Sequence, residues 1–348
     1  MNPPLMIIIV FSLGAGTMTT FMSSHWLLAW MGLEINTLAF VPLMAKQHHP
    51  RAVEATTKYF LTQATAAAML LFASASNAWA TGQWNIQQMT HPLSSTLAVI
   101  ALALKIGLAP VHSWLPEVLQ GLDLTTGLIM STWQKLAPFA LLLQINPSNS
   151  TLLIILGITS TLVGGWGGLN QTQLRKILAY SSIAHLGWML LVLQFSPSLT
   201  FLTLILYFVM TFSAFTLFKY NKATTINALS IAWTNAPALT ALSPLLLLSL
   251  GGLPPLAGFM PKWLILQELA GQGLGLIATF AALTALLSLY FYLRLSYAMA
   301  LTVSPNNVSS IPTWRLPSLQ STLPLATATV ATLLLLPLMP AATALLAL

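Results

Sequence analysis

The chain contains no cysteine, and this absence excludes several kinds of chemistry at once. Without thiolates it supplies no cysteine ligands to an iron–sulfur cluster or a zinc ion, and it has neither disulfides nor a catalytic thiol. A glycine-rich dinucleotide fingerprint and a P-loop are also missing, so neither nucleotide binding nor ATP hydrolysis is indicated. No histidine or carboxylate cluster has the spacing of a metal site. We therefore expect no cofactor and no metal in this chain.

Charged side chains are scarce, at 5% of the residues, whereas soluble domains have about 25%. Hydrophobic residues make up 57% of the sequence, in long runs from one end to the other, which is typical of a polytopic membrane protein. The net charge of +7 would by itself suggest a nucleic-acid partner. The basic residues form no compact patch with interleaved aromatic side chains, so we expect no nucleic-acid partner. The first apolar run lacks a basic leader and a clear cleavage site, and we interpret it as a membrane helix.

Apolar runs of membrane-spanning length predict an all-α polytopic membrane protein, a single domain over 1–348, with about 11 transmembrane helices. The predicted segments cover 3–22, 23–45, 59–80, 94–116, 124–145, 150–169, 174–195, 198–218, 237–267, 274–300 and 321–346. The longest polar stretches are predicted to be connecting loops, near 46–58, 81–93, 219–236 and 301–320.

The basic residues predict the orientation of the chain. When the loops are assigned alternately to two sides, nine Lys and Arg residues fall on the side of the N-terminus and none on the opposite side. An excess of this kind marks the cytoplasmic or matrix side, so we expect the N-terminus there and the C-terminus across the membrane. The nine residues are Lys46, Arg51, Lys58, Arg175, Lys176, Lys219, Lys222, Arg294 and Arg315.

Four charged residues, Glu34, Lys105, Lys135 and Lys262, lie inside apolar segments. One such residue at a helix centre costs roughly 2.5–3.5 kcal/mol on an insertion scale, and intramembrane charges are functional by default. We expect these four to carry protons, with Glu34 pairing with a lysine. A static ion pair that holds two helices together is the alternative.

Two histidines are candidate proton relays, because histidine titrates near neutrality. His112 follows Lys105 by seven residues, which predicts the same helix face two turns away. His185 is central in the seventh segment and lies in sequence between Lys135 and Lys262, so that it could bridge them through water. For both histidines, a hydrogen-bonded structural role remains the alternative.

Two predicted helices carry breaks, because proline removes a backbone donor and clashes with the preceding turn. The fourth contains Gly107 and Pro110, and the ninth contains Pro254 and Pro255. These helices are five apart in order and cross the membrane in opposite directions, which indicates inverted repeats with a site at their interface. We expect two five-helix repeats, about 1–145 and 150–300, and one C-terminal helix, about 321–346.

Three motifs resemble signatures of the antiporter-like subunits of respiratory complex I. They are Lys105-x-Gly107-x-x-Pro110-x-His112-x-Trp114-Leu115-Pro116, Ala179-Tyr180-Ser181-Ser182-Ile183-Ala184-His185-x-Gly187 and Gly252-x-Pro254-Pro255-x-x-Gly258-Phe259-x-x-Lys262. The resemblance implies that Glu34 and Lys105 form the charge pair of the first half-channel. It also implies that Lys135 is the central lysine and Lys262 the terminal one. The family fold has fourteen helices, and this chain lacks room for the first three.

The resemblance implies a proton-translocating membrane-arm subunit of an NADH:ubiquinone reductase in the mitochondrial inner membrane, with a matrix N-terminus and an intermembrane-space C-terminus. NADH, FMN, iron–sulfur clusters and ubiquinone would then be bound by other subunits. Implied partners are chains 3, 4, 4L and 6, accessory subunits, and lipids such as cardiolipin. Two alternatives are an Mrp-type cation/proton antiporter subunit and a structural scaffold of the membrane arm. A dedicated sodium site would require several converging carboxylates or carbonyls, whereas Glu34 is the single central acid.

Overall fold

The structure, a computed structural model, describes residues 3–45, 49–145, 150–234, 237–301, 322–338, 340–341 and 343–344. The predicted all-α class is confirmed: these ranges contain helices and two isolated bridges but no strand. The α-helices are α1 (Pro3–Met22), α2 (Trp26–Met44), α3 (Pro50–Thr81), α4 (Pro92–Ile106), α5 (Trp114–Gly121), α6 (Leu124–Ser131), α7 (Trp133–Gln144), α8 (Ser150–Gly168), α9 (Leu174–Leu193), α10 (Pro197–Tyr220), α11 (Ile226–Ile231), α12 (Pro237–Gly251), α13 (Phe259–Gly271), α14 (Gly275–Ala300) and α15 (Leu323–Leu334).

Within the described ranges, seven helices are long and apolar enough to cross a membrane, namely α1, α2, α3, α8, α9, α10 and α14. The other predicted segments consist of shorter helices, in pairs at 94–116, 124–145 and 237–267. The total of eleven spans stays a prediction. Among the predicted loop residues, Lys46, His48 and Arg315 lie outside the described residues.

The predicted loop at 46–58 is wrong, because α3 begins at Pro50. Proline is favoured in the first helical turn, where its missing N–H is no loss. The imidazole Nδ1 of His49 accepts a hydrogen bond from the Arg51 N–H at 3.2 Å and caps the helix. These two residues start the helix about two and a half turns before the apolar run that the prediction followed.

The fifth predicted helix is interrupted as well, which the sequence reasoning did not foresee. Thr132 lies between α6 and α7 with φ −114° and ψ −73°, whereas a regular α-helix has about −63° and −42°. Its hydroxyl donates to the Leu128 carbonyl at 2.7 Å, and a side chain that bonds back in this way often bends a helix. Six residues on, Pro138 leaves a carbonyl of α7 without its usual donor. The segment that carries Lys135 is therefore two short helices.

The chain divides into two compact units, Met1–Leu156 and Gly157–Leu348. In the first unit, α3 packs against α2, α4 and α5, and α7 packs against α4 and α1. In the second unit, α10 packs against α9, α12 and α15, and α14 packs against α12 and α13. The inverted-repeat relation between two halves stays a prediction.

Close backbone contact joins α1 to α2 in the first unit. A Cβ atom added at Gly16 would lie 2.8 Å from the Asn36 nitrogen and 2.9 Å from the Gly32 carbonyl oxygen. Gly16 therefore requires the absence of a side chain, and α1 rests directly on the backbone of α2 beside Asn36.

Pairs of loops meet inside each unit in agreement with the predicted sidedness. His25 and Asn85 form an isolated bridge between the loops that precede α2 and α4. Gln173 and Thr225 form another between the loops that precede α9 and α11. In each pair, the alternating assignment of loops had put both members on one side of the membrane.

Candidate proton-transfer site

The first helix break is built by a glycine cap. Lys105 lies in the last turn of α4, and Gly107, with φ 86°, ends the helix in the left-handed region. The Gly107 N–H donates to the Leu104 carbonyl at 3.2 Å, and the Leu108 N–H donates to the Ala103 carbonyl at 2.9 Å. These two bonds form a Schellman motif, which satisfies carbonyls that a helix end would leave free.

Two side chains also donate to carbonyls at this break. The Trp114 indole N–H donates to the Leu104 carbonyl at 3.1 Å. The Gln63 amide donates to the Lys105 carbonyl at 3.3 Å, from a position that is 4% exposed. Irregular backbone at membrane depth is tolerated where protein groups satisfy it. The predicted break at Gly107 and Pro110 is therefore a structured element of the first unit.

Glu34 and Lys105 come together as the sequence predicts. Lys105 Nζ lies 4.0 Å from Glu34 Oε1, and the two side chains are 2% and 25% exposed, respectively. No hydrogen-bond acceptor for this Nζ lies among the described residues. The last turn of a helix favours a cation, because the carbonyl end of the helix dipole is negative. The pair thus has a buried ammonium group with unused hydrogen-bonding capacity.

Lys135, in the first turn of α7, is 2% exposed. It lines a cavity of about 10 Å³ together with Lys105, which is about the space that one water needs. The polar residues around this cavity are Asn36, Thr37, Tyr59, Gln63, Lys105, Gln134 and Lys135. The structure thus brings Lys105 and Lys135 to the same buried space, whereas sequence separates them by thirty positions.

A hydrogen-bonded chain that the sequence reasoning missed surrounds the cavity. The Tyr59 hydroxyl donates to Gln134 Oε1 at 3.3 Å, and Gln134 Nε2 donates to Asn36 Oδ1 at 3.1 Å. Asn36 and Tyr59 are each 2% exposed. Asn36 follows Glu34 by two positions and Gln134 precedes Lys135 by one. A polar residue close in sequence to a buried charge is the feature that could have identified both.

His112 lies in the break, and the predicted shared helix face is wrong because the residues after Ile106 are not helical up to Trp114. Its Nδ1 lies 3.2 Å from the Pro110 carbonyl oxygen. His112 does not belong to the lining of the cavity between Lys105 and Lys135. A relay role for this histidine stays a prediction.

The second break repeats the cap of the first. Gly252 has φ 79°, and its N–H donates to the Ser249 carbonyl at 3.0 Å. The Leu253 N–H donates to the Leu248 carbonyl at 3.3 Å, which completes a second Schellman motif. In both breaks a cis peptide bond precedes the third residue after the glycine, at Pro110 and at Pro255.

Lys262 reaches this second break from the following helix. It lies in the first turn of α13, and its Nζ donates to the Gly251 carbonyl at 2.7 Å, at the end of α12. In the described part of the chain, no carboxylate lies within ion-pair distance of Lys262. Glu268 instead accepts a hydrogen bond from Gln272 at 3.2 Å. The ammonium group is thus held by backbone alone, beside an apolar groove of about 500 Å³.

His185 lies in a polar cluster of the second unit. Its ring centroid is 5.6 Å from that of Tyr207, which is fully buried. The Ser182 hydroxyl donates to the Ala179 carbonyl at 2.7 Å and also contacts the Tyr207 hydroxyl. His185 therefore has hydroxyl-bearing neighbours, and its role as a relay stays a prediction.

Comparisons with known proteins identify the family. The family described as "NADH:quinone oxidoreductase/Mrp antiporter, TM" matches residues 23–288, about three quarters of the chain. The chain belongs to this family. A second description, "NADH dehydrogenase subunit 2 C-terminus", matches residues 289–343. The resemblance inferred from the three motifs is confirmed.

Close relatives of this family member span its whole length. NADH-ubiquinone oxidoreductase chain 2 of Tetraodon nigroviridis is 71% identical over 340 residues, 98% of both chains. The protein of that name from Oncorhynchus mykiss is 68% identical over 349 residues and covers all of both chains.

Solved structures share the fold. A chain of respiratory complex I from Thermus thermophilus, determined with bound aureothin, has a TM-score of 0.79 at 31% identity and covers 96% of this chain and 79% of that one. A chain of the Mrp complex from Dietzia sp. DQ12-45-1b has a TM-score of 0.81 at 17% identity and covers 97% and 75%. The second likeness shows the fold alone.

The described residues contain no group of three His, Asp or Glu side chains that could hold a metal ion.

Proposed function

We propose that this chain is an antiporter-like membrane subunit of respiratory complex I that moves protons through its buried lysines. It is a subunit of an H⁺-translocating NADH:ubiquinone reductase, to which it contributes proton transfer. The observation that carries the assignment of residues is the cavity shared by Lys105 and Lys135, with Glu34 at 4.0 Å from Lys105. In the second unit, Lys262 has the corresponding role at the other helix break.

The buried charges act as a sequence of sites whose protonation changes during turnover. Glu34 stabilises the charged form of Lys105, so a change in the charge or position of Glu34 releases a proton from Lys105. The shared cavity gives that proton a short path to Lys135. Moving one charge across the membrane costs about 2.3 kcal/mol per 100 mV. Neutralising or displacing a partner of a buried charge has an energy of the same order, about 3–5 kcal/mol.

The surroundings follow from this assignment. The chain lies in the mitochondrial inner membrane, with its N-terminus in the matrix and its C-terminus in the intermembrane space. The loop pairs at His25 and Asn85 and at Gln173 and Thr225 support this sidedness within each unit. Its partners are membrane-arm chains 3, 4, 4L and 6, accessory subunits, and lipids such as cardiolipin. NADH, FMN, iron–sulfur clusters and ubiquinone belong to other subunits.

Two other functions fit the site less well. An Mrp-type cation/proton antiporter would require a dehydrated cation site, and among the described residues Glu34 is the single carboxylate beside the buried lysines. A structural scaffold would require satisfied charges, whereas Lys105 Nζ has unused hydrogen-bonding capacity beside a cavity. The unused capacity favours proton transfer over a purely structural ion pair.

The test is Lys135→Ala in the assembled complex. We expect the number of protons translocated per electron to fall, because the amine that receives the proton from Lys105 is lost. The measurement is proton uptake against NADH oxidation in sealed vesicles. Lys219→Ala removes an exposed lysine at the end of α10 and is the matched control. Wild-type pumping by Lys135→Ala would refute the proposed role of this subunit.

A further inference from the structure

A water molecule in the cavity between Lys105 and Lys135 would need polar groups that hold it in one orientation. Its volume of about 10 Å³ corresponds to one water molecule, and a buried water makes two to four hydrogen bonds to fixed polar groups. Lysine amines on flexible stems do not provide fixed geometry by themselves. The neutral side chains around the cavity are therefore the groups that decide the orientation.

Gln134 is held at both ends by neighbouring helices. Its Oε1 accepts from Tyr59 of α3, and its Nε2 donates to Asn36 of α2. These two bonds hold the amide at both ends between α2 and α3. Each amide oxygen has a second lone pair that is not used within the chain of hydrogen bonds. Asn36 and Gln134 both line the cavity, so the amide groups held by these bonds lie at its wall.

The Tyr59 ring is immobilised by aromatic packing. Its centroid lies 5.5 Å from that of Phe40 at an interplanar angle of 70°, and 5.9 Å from that of Trp114 at 59°. Edge-to-face and tilted pairs at these separations are favourable. Trp114 also donates to the Leu104 carbonyl, so the ring is tied to the helix break that positions Lys105. The hydroxyl of Tyr59 is thus held at a fixed distance from the cavity.

We propose that Tyr59 and Gln134 are positioning residues that orient a single water between Lys105 and Lys135 for proton exchange. This inference rests on the proposed function of the two lysines. In the step, a charged amine donates one proton to the water, and the water donates another proton to the neutral amine. The water is regenerated, and one positive charge passes from one lysine to the other. Neither Tyr59 nor Gln134 changes its own protonation.

The test uses Tyr59→Phe and Gln134→Leu in the assembled complex. Tyr59→Phe removes one oxygen and keeps the ring packing, whereas Gln134→Leu removes both hydrogen bonds. We expect each to slow coupled turnover about threefold to tenfold, the effect of one or two lost hydrogen bonds. We also expect a larger solvent deuterium isotope effect and an altered pH profile of pumping. Tyr290→Phe is the matched control, since Tyr290 lies on α14 and is 59% exposed.

The outcomes separate this inference from the proposed function. If Tyr59→Phe and Gln134→Leu pump at the wild-type rate with an unchanged pH profile and isotope effect, the positioning role is wrong. If Lys135→Ala abolishes pumping in the same assay, the proposed function nevertheless stands. If Lys135→Ala also pumps normally, both fail. Should Gln134→Leu not assemble, Tyr59→Phe decides the question, because its ring retains the contacts with Phe40 and Trp114.

Discussion

Lys105 and Lys262 each lie beside a helix break that begins at a glycine. They come from opposite sides of the break in sequence. Lys105 precedes its glycine by two residues and lies in the last turn of the helix that ends there. Lys262 follows its glycine by ten residues and reaches back to the end of the preceding helix. Lys262 Nζ meets the last carbonyl of α12, and Lys105 belongs to the last turn of α4. The negative end of a helix dipole stabilises a cation near it. The helix break therefore provides part of what a carboxylate would provide.

The glycine of the first break permits a direct test. Gly107→Ala places a Cβ at φ 86° and 2.9 Å from Leu115 Cδ1, whereas Gly82→Ala has φ 71° and no atom within 4 Å. Backbone strain of about 1–3 kcal/mol is common to both, and only Gly107→Ala adds a close contact, which is with the Leu115 side chain of α5. We expect a lower thermal midpoint of the complex for both and a loss of coupled activity only for Gly107→Ala. Equal activity of the two variants would contradict the account of the break.

The sequence predicted the charged residues of the site better than its neutral ones. Glu34, Lys105 and Lys135 are conspicuous because charge is costly in apolar segments. Tyr59 and Gln134 are not conspicuous in the sequence, because tyrosine and glutamine also occur in membrane helices without a polar partner. Their pairing depends on how α2, α3 and α7 pack, and a single sequence contains no information on that packing.

At the scale of helices, the predicted boundaries were wrong where polar side chains, and not the apolar pattern, decide where a helix begins or stops. The start of α3 depends on His49 and Pro50, which precede any apolar run. The interruption at Thr132 depends on a hydroxyl that bonds back to Leu128. The breaks at Gly107 and Gly252 were predictable, because glycine and proline carry a strong local signal. Hydropathy locates membrane segments, and polar side chains decide where their helices begin and end.

The packing of α1 on α2 connects the first helix to the lysine site, because Asn36 of α2 lines the cavity between Lys105 and Lys135. Gly16→Ala brings a Cβ within 2.8 Å of the Asn36 backbone nitrogen, whereas at Gly14 no atom lies within 4 Å. Overpacking costs typically about 1–3 kcal/mol, and alanine at an open helical position stabilises by about 1 kcal/mol. We expect Gly16→Ala to lower the thermal midpoint of the complex and Gly14→Ala to leave it equal or higher. A lower midpoint for Gly14→Ala alone would refute the proposed contact.

For the whole molecule, the absence of cysteine offers a way to determine sidedness. Gln87, between α3 and α4, and Thr224, between α10 and α11, are exposed loop residues that are predicted to lie on opposite sides. In mitoplasts, a membrane-impermeant maleimide should label Gln87→Cys, and it should label Thr224→Cys only after permeabilisation. The unsubstituted chain, which has no thiol, is the control. Labelling of Thr224→Cys in intact mitoplasts would reverse the proposed orientation.

The hydrogen bond between Lys262 and Gly251 has a further consequence for how charge can change in the second unit. A protonated lysine has three N–H groups and a neutral one has two, so the bond to the carbonyl survives the loss of a proton. The amine can therefore be discharged and recharged while the helix break keeps its shape. The charge on Lys262 can thus change without any movement of the backbone at the break.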